Sequence, residues 1–270
     1  MAAFSVLVTG ASGFLGPWVA AALRQAGHTV HCAARTAGDV LVDLDSPTQV
    51  QALLRALRPD LVLNLVALSR LADCKADPAR ARRVHAWLPA ALAERLGSRL
   101  LSVSTDLVFD GGGAPYGPQA PQAPLSVYGA TKAEGEEQVL RHGGRVVRLP
   151  LLFGPDGQGR GASGMIRQAL AAERPVALFT NEYRTPLHVA DAAVGLAALL
   201  PDCDGPRVSH LPGPERLSRW QFAQRLCGLH RLPTELLRAV ECQDPDRTRD
   251  VSLTGGVLPV RSLAAMLADA

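Results

Sequence analysis

Tyr128 and Lys132 stand four residues apart in LSVYGATK, directly after the irregular run GGGAPYGPQAPQAP. If a helix begins near Ser126, that spacing puts the phenol and the ammonium on one helical face. A cation beside a phenol favours the phenolate and lowers a pKa that is about 10 in water. Tyr128 would then serve as a proton donor and acceptor near neutral pH. The same pair also suits an exposed helix without chemistry, so it needs partners elsewhere in the chain. A second group supplies them. The stretch TGASGFLG carries Gly10, Gly13 and Gly16 at the end of an apolar run, with Ser12, Phe14 and Leu15 between the glycines. Glycines at a strand-to-helix turn let backbone approach a pyrophosphate, and the helix N-terminus offers N–H groups and positive potential. The spacing is G-x-x-G-x-x-G rather than G-x-G-x-x-G, so the signal rests on its strand–turn–helix context.

Arg35 lies nineteen residues past Gly16, at the end of the next apolar run. An acidic residue there accepts from a ribose 2′-OH, whereas an arginine accommodates a 2′-phosphate. Arg35 therefore points to NADP(H), with NAD the alternative. Asp43, followed by Leu44, is expected to face the adenine amino group or else to cap the following helix. The Gly-rich stretch 154–164 lacks the G-K-[ST] ending of a phosphate loop and reads as a connection.

Elements must bring these groups together. The runs FSVLVTG (4–10), TVHCAAR (29–35), DLVLNLVA (60–67), RLLSVST (99–105) and RVVRLP (145–150) read as strands. Helical stretches separate them, one ending at Gly27, one over 46–57, one over 78–96 and the Tyr–Lys helix. Strands divided by helices need crossovers, hence a parallel sheet covered on both faces. The fold class expected is α/β: a Rossmann-type, doubly wound parallel sheet with a smaller C-terminal substrate-binding region. The division expected is 1–153 for the dinucleotide-binding part and 154–270 for the smaller part, with about 185–211 returning to the sheet. Ligands bind such sheets at the C-terminal strand ends, and loop 111–124 would be an ordered wall there.

The chain is 47% hydrophobic and 20% charged with a net charge of +3 and no long basic run, which speaks against nucleic acid as a partner. Arg80, Arg82 and Arg83 read as the solvated side of a helix. The N-terminus lacks a charged start before a long apolar core, and no apolar run approaches a membrane span, so neither a signal peptide nor a membrane is expected. Five scattered cysteines without a CxxC fit free thiols in a reducing cytoplasm. No HxxxH or HExxH pairing appears, and no metal is expected.

TGxxGxxG, VSTDLVFDG and YGATK, in this order, resemble the extended short-chain dehydrogenase/reductases, most of all the dTDP-4-dehydrorhamnose reductases and the related regulatory beta subunit of methionine adenosyltransferase. NLVA, RLPLLFG, RTPLHVADAA and RTRDVSL extend the likeness over nearly the whole chain. The resemblance implies a triad of Thr105, Tyr128 and Lys132. Tyr128 would give a proton to a sugar carbonyl that receives hydride, Lys132 would lower the phenol pKa and hold the nicotinamide ribose, and Thr105 would orient the carbonyl oxygen. It also implies cofactor contacts at Val66, Ala67, Ser69 and Leu149 to Leu151. Asp106, Phe109, Leu151 and Arg184 would join the triad in the substrate pocket.

Three positions depart from the pattern. Leu107 stands where relatives commonly have tyrosine, Leu151 where rhamnose reductases carry tryptophan, and His85 where many have an asparagine that helps hold a relay water. His85 either replaces that function or packs; packing is the favoured reading. These differences bear on the substrate more than on the reaction class. The function expected is NADP(H)-dependent reduction of a keto group on a nucleotide-activated sugar, as in dTDP-rhamnose biosynthesis. The alternatives are a non-catalytic NADP-binding regulatory subunit and a sugar-nucleotide epimerase or dehydratase. Dimers are common in the family, so a homodimer is an open expectation.

Overall fold

The computed structural model describes residues 2–270. The first apolar run forms β1 (Ser5–Thr9), followed by α1 (Gly16–Gln25), β2 (Thr29–Ala34), the short β3 (Val40–Leu41), α2 (Pro47–Leu57) and β4 (Leu61–Asn64). The short helices α3 (Leu71–Ala76) and α4 (Pro78–Arg82), then α5 (Leu88–Leu96), lead into β5 (Leu100–Thr105), α6 (Val127–Arg141) and β6 (Arg145–Leu149). Beyond them lie β7 (Leu152–Phe153), α7 (Gly161–Ala171), β8 (Val176–Phe179), β9 (Tyr183–Arg184), β10 (Leu187–His188) and α8 (Val189–Leu199). The chain continues through β11 (Val208–His210), β12 (Leu217–Ser218), α9 (Arg219–His230), β13 (Leu237–Val240) and α10 (Leu263–Ala268).

Seven strands build one sheet in the order β11-β6-β5-β4-β1-β2-β3. Every pairing in it is parallel. The Rossmann-type α/β expectation is thus borne out. Strand order reverses between β1 and β4, the place where open parallel sheets leave a crevice for ligands. Strand β11 adds the seventh strand beside β6, pairing Val208 with Val146. Three two-stranded pairs, β10 with β7, β12 with β9 and β13 with β8, organise the rest of the C-terminal part.

Successive side chains of a strand point to opposite faces, and here both faces are apolar. Val6, Val8, Leu61, Leu63, Leu101 and Val147 share one buried cluster with residues of α1 and α8. Leu7, Val62, Leu100 and Val146 join the other cluster with residues of α2 and α5. Each such side chain, fully buried, contributes roughly 1.5–3 kcal/mol. This is why the strands read as unbroken apolar runs.

The single helix expected over 78–96 is broken in two. Between α4 and α5, residues Arg83–Trp87 form a π-helical turn in which the Leu88 N–H bonds the Arg83 carbonyl. Pro89 supplies the reason. It has no N–H for the carbonyl of His85 four residues back, and its ring crowds that carbonyl; the chain widens to i→i+5 bonding, a form frequent at functional sites.

Candidate active site

The glycine turn stands where β1 meets α1, at the strand-order reversal. Gly10 has φ +74, and a Cβ there would meet Val66 N at 2.9 Å; a Cβ on Gly16 would lie 2.1 Å from the Ala11 carbonyl oxygen. The first requirement is a left-handed backbone beside β4, the second a close packing of turn on helix, and only glycine meets both. The side chain of Leu15 is buried and that of Phe14 packs against the same core, its ring so near Gly161 that a Cβ there would lie 2.6 Å from it. Ser12 is exposed, and its carbonyl accepts from Arg160 Nη1 at 3.0 Å. The stretch expected to be a connection over 154–164 is one only as far as Arg160, since α7 begins at Gly161, and its end closes against the glycine turn.

A cleft of about 180 Å³ opens beside this turn, lined by Gly10, Ser12, Gly13, Arg35, Leu44, Val66 and Ala67 among the expected residues. Asp45, Leu65, Leu68, Arg80 and Val84 line it too. Asp43 does not: its carboxylate accepts from the Asp45 N–H at 3.1 Å, folding its own turn and leaving Asp45 toward the cleft. Ser69 is exposed and outside the lining, one residue beyond Leu68. Arg80, read from sequence as solvated, pairs with Asp45 at 3.6 Å across the cleft. Its spacing of four from Val84 was the signal that both share a helical face. Side-chain-free glycine backbone, Arg35, an Arg80 partnered by Asp45, and apolar walls fit a dinucleotide with a 2′-phosphate.

Beside the cleft-lining Leu65 a polar row crosses three strands. Thr9 Oγ1 donates to Asn64 Oδ1 at 2.8 Å, and Asn64 Nδ2 donates to Ser102 Oγ at 3.1 Å. The row is buried and paired, as buried polar groups must be.

At the end of β5, Thr105 Oγ1 donates to Asp106 Oδ1 at 3.1 Å and accepts from the Leu107 N–H at 3.2 Å. Ser126 starts α6 by capping the Gly129 N–H at 3.1 Å, which sets the phase that turns Tyr128 and Lys132 inward. Gly129 is required there, since a Cβ would lie 2.2 Å from the Leu107 carbonyl oxygen. Lys132 is buried, and its ammonium donates to the Val103 carbonyl of β5 at 2.6 Å. The Tyr128 phenol stands beside Thr105, whose hydroxyl tends to lower its pKa. Thr105, Tyr128 and Lys132 thus converge at one strand end.

The pKa expectation for Tyr128 is corrected. Burial pushes the phenol up to about 12, against the opposing Thr105 hydrogen bond and with the Asp106 charge adding to the rise. Lys132 is pulled down to about 8 by burial, with Glu136 acting against the fall. The helical spacing puts both groups on one face, but the ammonium is spent on a strand carbonyl, and desolvation is the largest influence on the phenol, with the nearby charges those of Asp106 and Arg184. Tyr128 holds its proton at neutral pH.

Asp106 and Arg184 are bound to each other by two short, buried hydrogen bonds. Phe109 is fully buried and turned away from the cleft, stacked on Tyr116 at 4.2 Å with 6° between rings, within a small core of Val108, Val251 and Leu253. Leu151 is half-buried against the main core. The loop 111–124 is tied down: Tyr116 N–H donates to Ser252 O at 2.8 Å, and its hydroxyl accepts from the Gly111 and Gly113 amides.

Sequence reasoning missed a second cavity, of about 460 Å³, between α7, β8 and α9. Ala162, Ile166, Val176 and Phe222 form an apolar floor, and Arg174, Arg219 and Arg247 rim it. Arg247 bonds Glu182 at 2.6 Å and lies over the Phe179 ring at 4.9 Å. Arg219 pairs with Glu182 at 3.7 Å, yet its Nη1 is buried without a hydrogen-bond partner. Burial pulls Arg219 down to about 10. Glu182 and Arg184, two residues apart, therefore join this cavity to Asp106 and the triad.

Comparison with known proteins agrees with this architecture. The model of the family described as RmlD substrate binding domain matches residues 4–250. The dTDP-4-dehydrorhamnose reductase of Streptomyces griseus is 36% identical over 200 residues, 72% of this chain and 64% of that protein; the alignment thus spans less than two thirds of its length. Methionine adenosyltransferase 2 subunit beta of Mus musculus is 28% identical over 257 residues, 87% of this chain and 75% of that protein. Among solved structures, a dTDP-4-dehydrorhamnose reductase from Bacillus anthracis in complex with NADP superposes with a TM-score of 0.86 at 20% identity, covering 97% and 96% of the two chains. That last likeness is one of fold.

Proposed function

The chain belongs to the RmlD substrate-binding-domain family, and from that premise we propose that it is an NADP(H)-dependent reductase of a keto group on a nucleotide-activated sugar. The observation that carries the reading is the convergence of Thr105, Tyr128 and Lys132 beside a glycine-lined cleft. The cofactor, when bound, supplies the hydride. Gly10, Ser12, Gly13 and the 65–68 segment would hold it, with Arg35 at the 2′-phosphate.

The protein's own groups do the rest. With substrate bound, the Thr105 hydroxyl would turn its one hydrogen from Asp106 Oδ1 to the carbonyl oxygen and orient it. Tyr128, kept neutral by burial, carries the proton that this oxygen takes up. The positive charge of Lys132 opposes the negative charge left on the phenol. The second cavity, with its apolar floor and arginine rim, suits a base and a diphosphate, so the nucleotide arm would lie there while the sugar reaches Tyr128. Asp106 and Arg184 would brace the passage between the two. A cytoplasmic setting and a homodimer belong to the same proposal; no helix among the described residues is long and apolar enough to cross a membrane.

Mixing the protein with NADPH and dTDP-4-dehydrorhamnose, and then with other keto sugars, tests the reading. We expect oxidation of NADPH, slowed by about 10²–10⁴-fold in Tyr128→Phe. NADPH should be preferred to NADH, the preference falling in Arg35→Ala. Absence of turnover across the panel would defeat it. The likeness to the adenosyltransferase subunit favours a second reading, a regulatory protein, whose mark would be tight cofactor binding without turnover and co-purification with a synthase.

A further inference from the structure

His85 is buried in the π-turn, and its ring meets the Tyr128 ring edge-on at 5.3 Å and 87°. Its Nε2 accepts from the Leu68 N–H at 2.9 Å. A backbone amide only donates, so Nε2 must carry a lone pair and the proton must sit on Nδ1. Nδ1 lies 2.8 Å from Thr131 Oγ1 and therefore donates to it. The Thr131 hydroxyl in turn donates to the Val127 carbonyl at 2.9 Å, within the first turn of α6. Every donor in this row points the same way, from the cleft wall to the helix, and such rows strengthen each link.

Both ring nitrogens are used, which leaves no lone pair and no N–H to pass a proton onward. Burial and the Lys132 charge also hold the ring neutral, its pKa pulled down to about 3. Packing confirms the closeness of the parts: Gly135 of α6 faces the π-turn, where a Cβ would lie 1.9 Å from the His85 carbonyl oxygen.

We propose that His85 is a positioning residue, a neutral imidazole protonated on Nδ1 that ties the cofactor cleft wall at Leu68 to α6 at Thr131 and so sets the Tyr128 ring. The inference rests on the cleft being the cofactor site. It distinguishes His85 from a residue that holds a relay water, and from one that only fills space.

Two substitutions separate the ends of the tie. In His85→Gln the amide oxygen can stand where Nε2 stands and keep Leu68; in His85→Asn the amide nitrogen can stand where Nδ1 stands and keep Thr131. Deuterium exchange of the Leu68 amide should quicken by about tenfold in His85→Asn and stay near wild type in His85→Gln. NADPH affinity should fall by about tenfold in His85→Asn and change by less than about threefold in His85→Gln, the scale of one buried hydrogen bond. Turnover should fall by about tenfold in His85→Gln and in Thr131→Val, with affinity kept, Thr131→Ser restoring it, and the limbs of the pH–rate profile unmoved. Equal effects of Asn and Gln on exchange and affinity would overturn the proposal, as would loss of a pH limb in either. A wild type that turns over no keto sugar defeats the reductase reading alone, because exchange and affinity still decide the tie. A wild type that binds no NADPH overturns both.

Discussion

Lys132 donates to the Val103 carbonyl at 2.6 Å, and burial holds its ammonium near 8. The proposed reduction calls for that charge near the phenol, so kcat should decline as pH rises through about 8. A rate flat well above that point would disprove the role. The stability term runs the other way. Because the folded pKa lies below the ordinary 10.5, the folded state binds fewer protons than the unfolded one between about 8 and 10.5. Stability from this group therefore rises with pH across that window, while activity falls. The i,i+4 spacing of Tyr128 and Lys132 was legible in sequence. The direction of the phenol's pKa was not, because desolvation depends on what other segments pack around it.

Helix α6 brings Tyr128 and Lys132 to the candidate site only because two glycines let it approach its neighbours. A Cβ on Gly129 would meet the Leu107 carbonyl oxygen at 2.2 Å, and one on Gly135 the His85 carbonyl oxygen at 1.9 Å. Propensity and packing make opposite predictions for Gly135→Ala. Helix propensity alone favours alanine by about 1 kcal/mol. Overpacking against backbone costs typically about 1–3 kcal/mol, and backbone cannot rotate away. We expect net destabilisation, seen as a lower urea midpoint with an unchanged slope; a higher midpoint would contradict the contact. The breadth of the expected helix over 78–96 hid the π-turn, though Pro89 was a readable sign. What the turn presses against could not be read, since Gly135 is fifty residues beyond His85.

Across the whole molecule, buried histidines make stability sensitive to acid. Burial pulls His85 down to about 3 and His210 to about 4, from 6.5. Each contributes stability that is fully present above about 6.5 and is lost as pH falls toward its folded value. At about 1.4 kcal/mol per unit the pair amounts to an effect on the order of several kcal/mol, at most about 8. Unfolding monitored in urea from neutral pH downward should show this loss. His85→Gln should flatten the profile, and an identical acid slope in that variant would argue against it. Arg148, buried and paired with Glu136 at 2.7 Å, bonds His210 as well.

By itself the sequence determined the class of sheet, the glycine turn, the helical phase of Tyr128 and Lys132, and the kinship of the chain. All of these are carried by local period, by residue type at a turn, or by motifs in order along the chain. Tertiary structure alone decided that Asp45 and Arg80 face the cleft, that Asp106 closes on Arg184 and Phe109 turns inward, and that arginines gather over an apolar floor beneath α7. Those outcomes depend on contacts between segments far apart in the chain, where burial and competition for hydrogen-bond partners, not spacing, select the winner.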